Sequence, residues 1–299
     1  DQKSVLYIKL QNADNTSNEM LRDMRSMQHA IGTASSKDVE IASRVKNPTL
    51  PIKPENWVET YFANDYKYMF LSIGSVRNER LVYYASASEF GSTKINWKPF
   101  IEYSDDITDY EVVGNKVFFL THKNAPNFKI GVTEMDQPDF KNAKIIVAEG
   151  ENLITRITAT KNYLIYGVVN EMNSEIFQIN GTTLEINKLP LPQGSNAVLP
   201  LNRQEGDEAV AVNYGWLNPY IFYHLNLKDN NVAISKMFNS TTVYPNQGEF
   251  LVKEIEIKSH DGTMVPLSII YPKNIKMDGS NSLYLEGYGS YGVSTFPYF

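Results

Sequence analysis

A chain of 299 residues can bury one large or two ordinary cores without metals or disulfides. Its 28 basic and 34 acidic side chains leave a net charge of -6, which argues against a nucleic-acid surface, and the absence of cysteine excludes disulfides, thiolate catalysis and zinc-thiolate sites. No apolar run approaches the roughly 20 residues a membrane helix needs and no signal peptide is visible, while a cysteine-free chain is compatible with cytoplasm and periplasm alike. Abundant aromatics, 19 Tyr and 14 Phe, lean the chain towards strand.

The first ten residues already read as a strand, so chain is expected to precede Asp1. The stretch Asn18-Glu-Met-Leu-Arg-Asp-Met-Arg is a candidate for a helical or irregular excursion leading into a strand around His29. A proline-rich segment at 47–54 then separates a partial first repeat, residues 1–45, from the next.

From there, short apolar or alternating runs return in fours between Asn, Asp, Gly and Lys clusters. One set covers 57–62, 69–73, 81–86 and 99–101; the next 110–113, 117–121, 128–132 and 144–148. A third covers 153–159, 163–168, 175–179 and 184–188, and a fourth 197–201, 208–213, 220–225 and 232–236. In each set the second run is the most hydrophobic, as expected of a strand covered on both faces. Four-strand sets repeating about every 45 residues predict the blades of a β-propeller, and a β-sandwich is the competing reading.

The pattern breaks near 243–249 and changes character at Leu251, so the domain boundary is placed between residues 250 and 251. Alternation at Val265, Leu267 and Ile269 predicts a half-buried strand, and Leu283-Tyr-Leu a buried one. The latter runs into glycines 287, 289 and 292, which would expose Tyr288 and Tyr291 where α/β proteins place their chemistry. The sequence stops at Phe299, where such a sheet would receive its first helix, and so reads as cut within a domain.

Four segments together resemble the prolyl oligopeptidase family of serine peptidases. They are His29-Ala-Ile-Gly-Thr-Ala-Ser-Ser-Lys-Asp, Thr121-His-Lys-Asn-Ala-Pro-Asn-Phe-Lys-Ile, Ser259-His-Asp-Gly-Thr-Met-Val-Pro and Gly287-Tyr-Gly-Ser-Tyr-Gly, in the family's order. The resemblance implies a mainly β chain: about five blades of a seven-bladed propeller over residues 1–250, then the first strands of an α/β-hydrolase domain over 251–299. It implies a serine endopeptidase that hydrolyses short peptides on the carboxyl side of proline, with the propeller gating access. Two alternatives stay open: cleavage after Arg or Lys, as in the oligopeptidase B branch, and a non-catalytic propeller binding module.

The same resemblance casts Tyr288 as a phenolic donor to the oxyanion of the tetrahedral intermediate. Glu286 stands where most relatives carry tyrosine, and the Gly-Ser-Tyr-Gly ending is closer to the oligopeptidase B branch. No Gly-x-Ser-x-Gly elbow occurs, and Ser290 fails the pattern because Tyr288 stands two residues before it. The Ser-Asp-His triad is therefore expected beyond Phe299, in the remaining catalytic portion, and this chain alone is expected to be inactive. Arg77 and Arg80, after a predicted inner strand, are candidates to hold a peptide carbonyl or carboxylate. His122, His224 and His260 read as structural, and Asp105, Asp106 and Asp109 as a solvated turn. No cofactor, metal, nucleic-acid or membrane partner is expected.

Overall fold

Apolar runs punctuated by turn residues fold into antiparallel meanders. The computed structural model describes residues 3–12, 14, 16–17, 19–63, 65–170, 173–201, 203, 205–236, 244–289, 295 and 297–299. Their contacts divide into two units, residues 1–149 and 150–299. Among the described residues the only helical turns are four short 3-10 segments.

In the first unit, β1 (Ser4–Lys9), β2 (Arg25–Ala30) and β3 (Val39–Ala42) form a three-stranded sheet. Strands β4 (Trp57–Phe62), β5 (Tyr68–Gly74), β6 (Val82–Ser86) and β7 (Lys98–Ile101) make the second sheet. The third holds β8 (Ile107–Val113), β9 (Lys116–Thr121), β10 (Lys129–Glu134) and β11 (Lys144–Val147). All three sheets keep sequence order, and the strands of the two four-stranded sheets fall within a few residues of the expected runs. The second strand of each four is the buried one, with Met69, Phe70, Leu71 and Ile73 on β5 and Val117 to Leu120 on β9 almost inaccessible.

Cores form where sheet faces meet. Ile41, Val58, Met69 and Leu71 fill the first interface. Phe70, Phe100, Ile107 and Phe119 fill the second, with the Phe70 ring centroid 5.1 Å from Phe100 and 5.4 Å from Tyr110. The excursion near Asn18 contains turns and no helix among the described residues. Asp23 explains this: it adopts a left-handed φ of 49° and donates its N–H to the Pro54 carbonyl at 2.7 Å, so an α-helical ladder cannot run through it. Asn18 itself lies outside the described residues.

In the second unit, one sheet holds β12 (Leu153–Ala159), β13 (Tyr163–Asn170), β14 (Asn173–Asn180) and β15 (Ile186–Lys188). Another holds β16 (Ser195–Pro200), β17 (Glu208–Tyr214), β18 (Ile221–Asn226) and β19 (Asn231–Ile234). Ile165, Ile176, Ala209, Ala211 and Leu225 pack between them. A hairpin follows, β20 (Phe250–Lys258) and β21 (Met264–Pro272), in unbroken register from Phe250–Pro272 to Lys258–Met264. Both of its strands leave apolar side chains open, among them Val252, Ile257, Val265 and Ile270.

The buried strand expected at 283–285 does not form. Leu283, Tyr284 and Leu285 are 83%, 85% and 72% exposed and have no strand assignment. The residue pattern suits a strand, but a buried strand needs ladder partners and covering layers, and no described strand pairs with this segment.

Candidate functional site

Tyr288 sits on a stretch with no strand or helix assignment, exposed among the described residues. A Cβ placed at Gly287 or Gly289 would meet nothing within 4 Å, and Tyr288 is 57% exposed with no hydrogen bond to a described residue. The phenol is thus free to reach a group outside this stretch. Ser290, Tyr291 and Gly292 lie outside the described residues. Glu286, two positions before Tyr288, accepts a hydrogen bond from the Tyr298 hydroxyl at 3.2 Å. That bond to a carboxylate raises the Tyr298 phenol above its ordinary value, and the ring packs 5.2 Å from Trp216.

Arg77 and Arg80 share the β5–β6 turn, and both are exposed. The Arg77 guanidinium lies 5.2 Å from the centroid of the Tyr103 ring, a cation–π contact. Arg80 is tied to the next sheet: its backbone N–H donates to the Ile107 carbonyl at 2.7 Å and its Nε to the Thr108 carbonyl at 2.8 Å. Between them, Glu79 meets His122 Nε2 at 3.2 Å, and the His122 ring packs edge-on against Phe128. The turn is therefore pinned to β8 and the end of β9; the Arg77 backbone N–H donates to Ser75 Oγ at 3.2 Å, and its guanidinium rests on the Tyr103 ring.

A cluster whose role the sequence did not disclose lies on the first sheet. The Asp38 carboxylate accepts from Tyr7 Oη at 2.6 Å through one oxygen and contacts His29 Nδ1 at 2.7 Å through the other. Those two bonds, Tyr7 first, hold the Asp38 carboxyl below its ordinary range, and the same contact raises the Tyr7 phenol. The visible signal was the His29 and Asp38 pair at the ends of one motif; Tyr7 carried none. Between them Gly32 takes φ 87° and a 3-10 turn spans Ser35–Lys37, so the motif is a turn that folds its Asp back onto its His.

Two further motifs are also turns. In Thr121–Ile130, Asn124 and Phe128 have positive φ and Thr121 Oγ1 donates to the carbonyls of Asp105 and Asp106. In Ser259–Pro266, Gly262 has φ 93° and Asp261 Oδ1 accepts from the Thr263 N–H at 2.9 Å. His224 meets Glu208 at 3.5 Å and His260 Nδ1 meets Ser259 Oγ at 3.3 Å, each beside a local polar partner. Asp105 accepts from the Glu102 N–H, Asp109 from the Tyr110 N–H, and Asp106 is left-handed at φ 54°. Among the described residues no three His, Cys, Asp or Glu side chains converge as metal ligands.

Residues 1–237 match the family described as prolyl oligopeptidase, N-terminal beta-propeller domain. The chain belongs to the prolyl oligopeptidase family. Its antiparallel four-stranded meanders are accordingly those of a propeller domain. Among curated relatives, a prolyl endopeptidase of Elizabethkingia meningoseptica is 22% identical over 91% of this chain and 37% of its own length. The dual function macrocyclase-peptidase POPB of Galerina marginata is 22% identical over 93% of this chain and 38% of its own. Among solved structures, prolyl oligopeptidase B from Galerina marginata bound to a 25mer macrocyclization substrate superposes with TM-score 0.75 at 18% identity, covering 93% of this chain and 38% of that one. Oligopeptidase B from Leishmania major gives TM-score 0.73 at 17% identity, over 99% and 41%. The chain thus spans well under half the length of these prolyl oligopeptidase relatives.

Proposed function

We propose that the intact protein is a serine peptidase that hydrolyses short peptides on the carboxyl side of proline. Membership of the prolyl oligopeptidase family carries this reading, and the relatives named prolyl endopeptidase support the preference for proline. Residues 1–250 are about five later blades of a seven-bladed propeller that gates the site, because a folded substrate would have to lose its own stability to pass. Residues 251–299 begin an α/β-hydrolase domain whose remainder covers the apolar hairpin β20–β21 and pairs with 283–285. The exposed apolar side chains there support this, since large uncovered patches mark surfaces that meet a partner.

Tyr288 donates its O–H to the oxyanion as charge develops on the attacked carbonyl. A neutral donor on a glycine-flanked, uncovered stretch needs little reorganisation to do so. Arg77 and Arg80 hold a carbonyl or carboxylate of the peptide. Nucleophile, acid and base come from the remaining catalytic portion, so the 299-residue chain alone turns over no substrate.

In the intact protein, Tyr288→Phe is expected to lower kcat about 10²- to 10³-fold with little change in KM. Steady-state kinetics on chromogenic peptides with Pro, and separately Arg, before the scissile bond measures this. Unchanged kcat removes Tyr288 from the oxyanion site, and faster cleavage after Arg replaces the proline reading with the oligopeptidase B one. A serine-directed fluorophosphonate should leave the 299-residue chain unlabelled; labelling would show that it holds its own nucleophile.

A further inference from the structure

The loop between β17 and β18 is a closed turn. Gly215 and Asn218 bond to each other twice, the Gly215 N–H reaching the Asn218 carbonyl at 3.1 Å and the Asn218 N–H the Gly215 carbonyl at 3.2 Å. The Tyr214 and Tyr220 rings, 5.2 Å apart, flank it on either side. Strand β17, which leads into it, is buried through Ala209, Val210 and Ala211, so the turn carries Trp216 on a packed scaffold.

Residues 297–299 seat themselves one after another within the same unit. Pro297 is buried, the Tyr298 ring lies 5.2 Å from Trp216, and the Phe299 ring packs edge-on against Tyr244 at 4.6 Å. From that seat Tyr298 Oη donates to Glu286 at 3.2 Å, among the described residues the one side-chain hydrogen bond made by the exposed segment 283–288. The carboxylate raises the Tyr298 phenol, so this donor keeps its proton at neutral pH. The tether matters because Tyr288 stands between two glycines with open space around them, whose backbone freedom lets the phenol stray. A donor to an oxyanion has to stand about 3 Å from the developing charge, and a displacement of about 1 Å can cost about 10²-fold in rate. Two residues span at most ~7 Å, so holding Glu286 confines Tyr288.

We infer that Trp216 and Tyr298 are positioning residues of the oxyanion site, holding Glu286, and with it the Tyr288 phenol, through one ring contact and one hydrogen bond. The inference deepens the reading of Tyr288 as the oxyanion donor and rests on it. Trp216 lies within the matched propeller domain, residues 1–237, and Tyr288 beyond it, so a propeller loop sets where the donor stands. Neither ring touches the reacting atoms; both act through Glu286.

The test is steady-state kinetics of the intact protein on the better cleaved of the two chromogenic peptides, with each variant made in the parent and in the Tyr288→Phe background. Tyr298→Phe keeps the ring on Trp216 and loses the bond to Glu286, and should lower kcat about 10-fold at unchanged KM. Trp216→Ala should lower it as much, and Trp216→Phe, which restores a ring, should return most of the loss. In the Tyr288→Phe background none of the three should lower kcat further, since no donor is left to place. Unchanged kcat in Tyr298→Phe, or a loss equally large in both backgrounds, overturns the positioning role and leaves Tyr288 its own. Unchanged kcat in Tyr288→Phe alone overturns the oxyanion reading, and this inference with it.

Discussion

Asp38 joins Tyr7 and His29 on the first sheet, and its charge state links that sheet to pH. Because its carboxyl is held below its ordinary value of 3.8, the folded chain releases this proton more readily than the unfolded one. Its contribution to stability is complete above the unfolded value and is lost as pH falls through the lower, folded one. Urea midpoints measured from about pH 6 down to about pH 2 should therefore fall less steeply in Asp38→Asn than in the parent. Identical slopes would mean that the Tyr7 and His29 contacts are not kept in solution. Asp38→Asn should also bring the Tyr7 phenol back down, since the hydrogen bond to this carboxylate is the main cause of its raised pKa, and absorbance titration of the tyrosines reads that shift. The two candidate arginines separate at the same scale. Arg80→Ala breaks the bond to the Thr108 carbonyl, so about 1 kcal/mol of stability should go with any loss of substrate affinity. Arg77→Ala, which removes a guanidinium resting on the Tyr103 ring, should raise KM of the intact protein and leave its unfolding midpoint within error. If neither variant alters KM, the β5–β6 turn does not touch the peptide.

Among the strands, glycines under aromatic rings set the tightest packing. Gly131 pairs with Phe119 across β9 and β10, and a Cβ there would lie 2.2 Å from the Phe119 ring; Gly74 pairs with Trp57 across β4 and β5, where a Cβ would meet the indole at 1.7 Å. The rings differ in freedom, since Phe119 is 2% exposed and Trp57 38%. Gly131→Ala should therefore cost about 1–3 kcal/mol, because the buried ring cannot move aside. Gly74→Ala should cost less, since the indole can swing into solvent. Chemical denaturation of the two variants decides it, and a larger loss for Gly74→Ala would contradict the account. The strands themselves were legible in the sequence because alternation and turn residues act within a few positions. Their bulges were not. The register slip at Thr155 is set by how β12 meets β13 and leaves the run of residues unchanged.

Across the whole molecule, cover is unevenly distributed. Strands β5, β9 and β13 are packed on both faces, whereas β20, β21 and 283–288 keep apolar side chains in solvent. Native-state hydrogen exchange of the 299-residue chain should show slow amides on β5, β9 and β13 and the fastest ladder exchange on β20–β21. An isolated hairpin is marginally stable, and protection there equal to that of β9 would show that it is covered in solution. The four-strand rhythm, the turn motifs and the uncovered Gly287-Tyr288-Gly289 stretch were readable from the residues because each rests on local backbone preference. Side-chain partnerships were not, and the Tyr7–Asp38 bond, the Arg80–Thr108 tether and the unpaired Ser195 hydroxyl all join or isolate groups by tertiary placement. The same holds for 283–285. By itself the amino-acid order determined where this chain can extend and where it must turn, since those preferences are written into single residues and their neighbours. Only the tertiary structure decided which extended segments become strands and which polar groups find partners, because a ladder, a buried charge or a cavity exists only once distant parts of the chain meet.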